Sequence, residues 1–178
     1  MIEYLNEDEV PRVGICIERA GLEFYTKMAE KADDPATKRV FKRLASDEKD
    51  HLALFESLDL KTAGGIGARP VQDDQELSSY VCSIVDGGIF KGISDMEKTA
   101  KKKFNPEAAL ELALGVEKDA VLYYSEALDA ARRRGAKAAL KRLVEEEKSH
   151  VVQITKRLDA LRKKQARESG KKTNTKKK

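Results

Sequence analysis

The sequence has no tryptophan, and its 178 residues include two cysteines and four prolines. Cys16 and Cys82 stand 66 positions apart. That spacing offers no Cys-x-x-Cys pair for a metal or redox centre, and no disulfide framework is expected. A reducing, cytoplasmic setting is the default expectation. Long apolar runs are lacking too, and none approaches the ~20 residues that a membrane span requires. The opening Met1–Leu5 carries no basic stretch followed by an apolar one, so no secretory leader is expected. What remains is 40% hydrophobic and 37% charged, a composition that leans to helix and suits one domain with a real core.

Charge is unevenly placed. Residues 162–178 hold nine basic side chains and one acid, Glu168, so this segment carries +8 and residues 1–161 carry −4. The basic surplus belongs to the C-terminal end, read as a solvated, disordered tail over 166–178. Contact with nucleic acid is expected only through that tail.

Apolar periodicity predicts helices over 8–32, 35–59, 106–133 and 136–165. Asn6 and Asp8 are candidate caps for the first. Asp34-Pro35 and Asn105-Pro106 open the second and third with a cap followed by proline. Gly135 is expected to break the chain before the fourth. Short turns at 32–34 and 134–135 imply two antiparallel hairpins. Between them, residues 60–105 form a long crossover, with a glycine-rich loop at 62–70 and shorter helices at 74–85 and 93–103. The fold class is therefore all-α, an antiparallel four-helix bundle made of two helical hairpins. The domain covers 1–165, divided as hairpin 8–59, crossover 60–105 and hairpin 106–165.

The inner faces follow from steps of three and four. They are Gly14, Glu18, Gly21, Tyr25 and Met28 in the first helix, and Thr37, Phe41, Leu44, Glu48, His51, Phe55 and Leu58 in the second. The third gives Leu110, Leu114, Glu117, Val121, Tyr124 and Leu128, and the fourth Leu140, Leu143, Glu147, His150 and Ile154. Each apolar stripe is interrupted near its middle by carboxylate or imidazole, which core patterning alone would not do. Glu23, Glu126, Glu145 and Glu146 fall off these stripes and are expected in solvent. Cys16 points away from the inner face.

The two hairpins are copies of one another. A shift of 99 residues carries Glu18 onto Glu117, Tyr25 onto Tyr124, Leu44 onto Leu143, Glu48 onto Glu147 and His51 onto His150. Over 17–51 against 116–150, ten of 35 positions are identical without a gap. The chain's two histidines each have Glu three residues before them and another Glu 33 residues before, itself followed by Tyr at +7. Glu18, Glu48, His51, Glu117, Glu147 and His150 thus form one candidate metal-ligating set. Four carboxylates buried together need a counter-charge. Two divalent cations supply it, and the oxygen-rich set with one imidazole per metal suits iron or manganese, with zinc also accommodated. Symmetry makes Glu48 and Glu147 the bridges. Glu18 and His51 then complete one site, Glu117 and His150 the other.

These residues, with Phe24-Tyr25 and Leu44-Ala45-Ser46-Asp47-Glu48-Lys49-Asp50-His51, resemble the rubrerythrin-type branch of the ferritin-like superfamily. The resemblance covers about 10–60 and 106–160. It implies a ferritin-like bundle, two iron ions as cofactor and reduction of peroxide or oxygen. It also implies that Tyr25 and Tyr124 hydrogen-bond to ligand carboxylates. There are two departures. No four-cysteine rubredoxin module is present, so a separate electron donor, such as a rubredoxin-like protein, is expected. The further glutamate that the family carries three residues after the third-helix ligand is here Ala120, which brings the set closer to a plain ferritin-like oxidase. The expected partners are a small oxidant and that donor, with a homodimer allowed and no membrane. The alternatives are a ferroxidase or iron-storage protein, and a helical scaffold with structural metal.

Overall fold

In the computed structural model, residues 10–62 and 103–175 are described, with side-chain surroundings for 10–58 and 103–169. These residues form four helices: α1 (Val10–Lys31), α2 (Pro35–Thr62), α3 (Pro106–Ala130) and α4 (Arg134–Thr175). The expected caps Asn6 and Asp8, most of the crossover with its loop and two short helices, and residues 176–178 lie outside the described residues.

Local chemistry explains the helix ends. Pro11 is tolerated because α1 begins at Val10, where the first N–H groups have no intrahelical partner anyway. The Asp34 carboxylate accepts from the Thr37 backbone N–H at 2.8 Å and from its hydroxyl at 3.0 Å, which caps α2. Asn105 caps α3 through the N–H groups of Glu107 and Ala108. Gly135, expected to break the chain, lies inside α4 instead. The turn falls earlier, at extended Ala131, whose N–H bonds back to the Ala127 carbonyl. The α4 helix also runs to Thr175, which corrects the expected disordered tail over 166–175. Its Lys, Arg, Gln, Glu and Ala are good helix formers, and extending an existing helix costs little.

α1 packs chiefly on α2, and α3 on α4; between hairpins, α2 and α4 approach each other more than α1 and α3 do. The stripes expected of α1 and α4 are buried throughout, as is that of α2 up to Leu58, which is half-buried. On α3 the contact face is rotated. Leu114, Val121 and Leu128 are only half-buried, whereas Ala113, Val116, Ala120, Tyr123 and Ala127 are inside. Alanine at these places lets α3 sit close to its neighbours, which a leucine stripe would prevent.

The apolar core lies in two blocks. One gathers Val13, Ile17, Phe55, Tyr124, Leu140 and Leu143. The other gathers Phe24, Tyr25, Phe41, Leu44, Leu110 and Ile154. The buried glutamates and histidines lie between them. The blocks are unequal although the hairpins are copies. Where the first hairpin has Met28, Val40 and Phe41, the second has Ala127, Ala139 and Leu140. An apolar cavity of about 510 Å³ lies at the Phe55 end, lined in part by those three residues. Cys16, buried in the same block, is disulfide-bonded. This corrects the expectation that disulfides are lacking; Cys82 lies outside the described residues.

Asp34 also ties the hairpins together, because Arg157 of α4 donates to its carboxylate at 2.6 Å and to the Thr37 hydroxyl at 2.9 Å. Replacing Asp34 by Ala removes a cap and leaves Arg157 without that acceptor. A loss of about 1–2 kcal/mol is expected in urea unfolding of the metal-free protein. The backbone N–H of Thr37 is the main cause of a lowered Asp34 pKa. The Asp34 contribution is therefore complete above its unfolded-state pKa and fades as pH falls through the lower folded value. The gap between wild type and Asp34→Ala should close on acidification.

Candidate metal centre

The middle turns of all four helices deliver Glu18, Glu48, His51, Glu117, Glu147 and His150 to one layer between the apolar blocks. All six are only 1–4% exposed. They form two overlapping clusters, Glu18–Glu48–His51–Glu147 and Glu48–Glu117–Glu147–His150, in each of which one ligand atom per residue lies within 4.8 Å of the others. Glu48 and Glu147 are common to both clusters. The two imidazole centroids are 5.7 Å apart.

The atoms facing the middle of the first cluster fit a cation. His51 Nδ1 lies 3.0 Å from Glu147 Oε1 and 3.4 Å from Glu18 Oε2. All three atoms are buried without a hydrogen-bond partner. Two carboxylate oxygens and an imidazole nitrogen converge there unpaired, an expensive arrangement that a divalent cation relieves. In the second cluster His150 Nδ1 lies 3.0 Å from Glu147 Oε2 and 3.2 Å from Glu117 Oε2.

Protonation shows the same need for positive charge. Burial, then the neighbouring carboxylates, pushes Glu48 well above the usual carboxylate range. Burial likewise raises Glu117, against the opposing pull of His150. Burial also disfavours charge on the histidines and on Glu147. There it is outweighed: nearby carboxylates raise both His51 and His150, the latter to about 10, while the two histidines draw Glu147 downward. Four carboxylates cannot share this volume as bare anions, and without cations protons take their place.

Further hydrogen bonds cross between the hairpins. Tyr25 of α1 donates to Glu117 of α3, and Tyr124 of α3 donates to Glu18 of α1. Burial and the adjacent carboxylates push both phenols well above their ordinary pKa, so their hydroxyls stay donors. His51 Nε2 lies 3.1 Å from Glu146 of α4, and His150 Nε2 3.2 Å from Asp47 of α2. Glu146 therefore does not stand wholly in solvent as its place off the inner stripe suggests; Glu23, Glu126 and Glu145 are exposed. Inner-face spacing passes over Asp47 and Glu146. The repeat carries a signal for them: Arg43 recurs as Arg142, and the acid Asp47 as the acid Glu146.

The layer has two approaches. A polar cleft of about 130 Å³ opens on the α2–α4 side, lined by Asp47, Glu146 and both histidines. On the α1–α3 side a crevice of about 10 Å³ is lined by Ile17, Gly21, Val116 and Ala120 along with four of the glutamates and Tyr25. A Cβ at Gly21 would make ordinary contact with Glu48, 3.4 Å from its Cδ.

Residues 1–59 match the Rubrerythrin family model. The matched stretch supplies Glu18, Tyr25, Glu48 and His51, and it is consistent with a rubrerythrin-type, ferritin-like family. The second hairpin repeats that rubrerythrin-like half and closes the bundle around the same layer. No curated protein and no solved structure matches the chain. None of the described helices is long and apolar enough to cross a membrane.

Proposed function

We propose that this protein is a di-iron oxidoreductase of rubrerythrin type that reduces a small oxidant, hydrogen peroxide or oxygen. The observation that carries the reading is the pair of buried clusters sharing Glu48 and Glu147 within a rubrerythrin-like helical hairpin and its copy. Glu18, Glu48, His51 and Glu147 would hold one metal, and Glu48, Glu117, Glu147 and His150 the other. Paired iron would supply two electrons, enough to reduce peroxide to water or oxygen to the peroxide level, and a separate donor would restore them.

The chain's own residues set the conditions for that chemistry. Tyr25 and Tyr124 fix the orientation of Glu117 and Glu18 through their hydroxyls, leaving the other carboxylate oxygen of each for metal. The apolar blocks exclude water from the layer above and below, which strengthens the electrostatic contacts on those sides. The crevice beside Gly21 and Ala120 is about the size of a single water molecule, which excludes larger organic substrates. Manganese or zinc fits the same donors, and the metal can be named by elemental analysis.

Ala120 favours a second reading, a ferroxidase or iron-handling protein, because the family's extra carboxylate is missing at that wall. Stopped-flow oxidation of the ferrous protein separates the two. The expected result is faster reoxidation by peroxide than by oxygen, with repeated turnover when reductant is supplied. A single slow turnover with either oxidant would select the ferroxidase.

A further inference from the structure

We infer that Asp47 and Glu146 are positioning residues, and that each orients the metal-binding imidazole of the opposite hairpin. The inference rests on the dimetal reading above and adds two residues and a pattern of dependence to it.

The geometry is repeated and crossed. Asp47 belongs to α2, four residues before His51, yet its carboxylate meets His150 of α4, with Oδ2 3.2 Å from Nε2. Glu146 belongs to α4, four residues before His150, yet it meets His51 of α2, with Oε2 3.1 Å from Nε2. A carboxylate on one ring nitrogen makes that nitrogen the N–H donor and leaves a lone pair on the other. Here the other nitrogen is Nδ1, which in both rings faces the shared glutamates. Each orienting carboxylate is held in turn from its own helix: Arg43 Nε lies 3.3 Å from Asp47, and Arg142 Nε 2.9 Å from Glu146. Asp47 is 28% and Glu146 38% exposed, so both sit where the polar cleft reaches the imidazoles. A site built from one hairpin would contain two glutamates and a histidine without the group that aims the histidine. The contacts thus make each metal's hydrogen-bonded surroundings the property of both halves.

A mutant cycle on the full-length, metal-free protein tests this with Co²⁺ as the probe, followed by calorimetric titration. In a His51→Ala background the remaining site depends on His150, and adding Asp47→Ala should weaken Co²⁺ binding by about 10–100-fold. In a His150→Ala background the same Asp47→Ala change should leave affinity within about twofold to threefold. Glu146→Ala should show the reverse pattern. Asp47→Asn, which keeps an acceptor for the imidazole N–H, should recover much of the loss. If single-histidine variants bind too weakly to titrate, proton NMR of the Co²⁺-loaded protein reads the same dependence. Asp47→Ala should then speed solvent exchange of the His150 N–H signal and leave that of His51 unchanged. Equal losses in both backgrounds, a loss confined to the His150→Ala background, or accelerated exchange at His51 alone would overturn the inference. Failure of the wild-type protein to bind Co²⁺ would instead overturn the dimetal reading, which keeps the two failures distinct.

Discussion

Replacing both Glu48 and Glu147 by alanine should reduce bound metal from about two ions per chain to almost none, measured by elemental analysis after ferrous loading. These carboxylates belong to both clusters, so the double substitution removes two donors from each metal at once. What remains is one glutamate and one imidazole per site, too few to displace the hydration of a divalent ion in a buried layer. Metal that binds only the folded chain stabilises it by about 2.7 kcal/mol when free metal is at about 100 times Kd. Wild type should therefore melt higher with metal, and the double variant should show no such rise. Glu23→Ala, on an exposed i,i+4 pair with Lys27, should behave as wild type in both measurements. Unchanged metal content in the double variant would refute the centre.

Phe55→Ala should be among the most destabilising single changes outside the polar layer, by about 3–5 kcal/mol in denaturant unfolding of the metal-free protein. Phe55 is fully buried, 5.3 Å from the Tyr124 ring between centroids. Gly14 of α1 makes room for the ring, since a Cβ there would lie 2.7 Å from it. The ring forms one wall of the 510 Å³ cavity, so its removal enlarges an existing space that neighbouring side chains already fail to fill. The equivalent position in the second hairpin, Ile154, packs in the fuller block among Phe41, Leu44 and Leu158. Ile154→Ala should cost less, about 2–4 kcal/mol, because a smaller side chain is removed. Opening the Tyr124 flank should also loosen the hydrogen bond to Glu18, seen as weaker metal binding in Phe55→Ala.

Much of this was legible in the sequence for a definite reason. Steps of three and four place side chains on one face of a helix, whatever the helix packs against. The four helices, the polar interruption of each stripe and the six-residue set all follow from that rule and from the shift of 99. So does the charge argument, which needs only that the four glutamates be buried together.

Other features depend on how the helices meet. On α3, leucine spacing suggested a face through Leu114, Val121 and Leu128, but close packing turned the alanine edge inward. The turn fell at Ala131 rather than Gly135, since a glycine exposed on a helix is tolerated where the flanking caps are met elsewhere. The cavity depends on which residues face one another, and that is known only once the helices are packed.

The pairing of Asp47 with His150 and of Glu146 with His51 is the clearest case. The sequence by itself determined that each imidazole has an acid four residues before it on its own helix. Only the tertiary structure decided that the acid turns away from that imidazole to meet the one on the neighbouring helix. The physical reason is that spacing along a helix fixes the direction of a side chain, whereas the partner it reaches depends on the register and separation of two helices. These were set by burial of the apolar blocks above and below the polar layer.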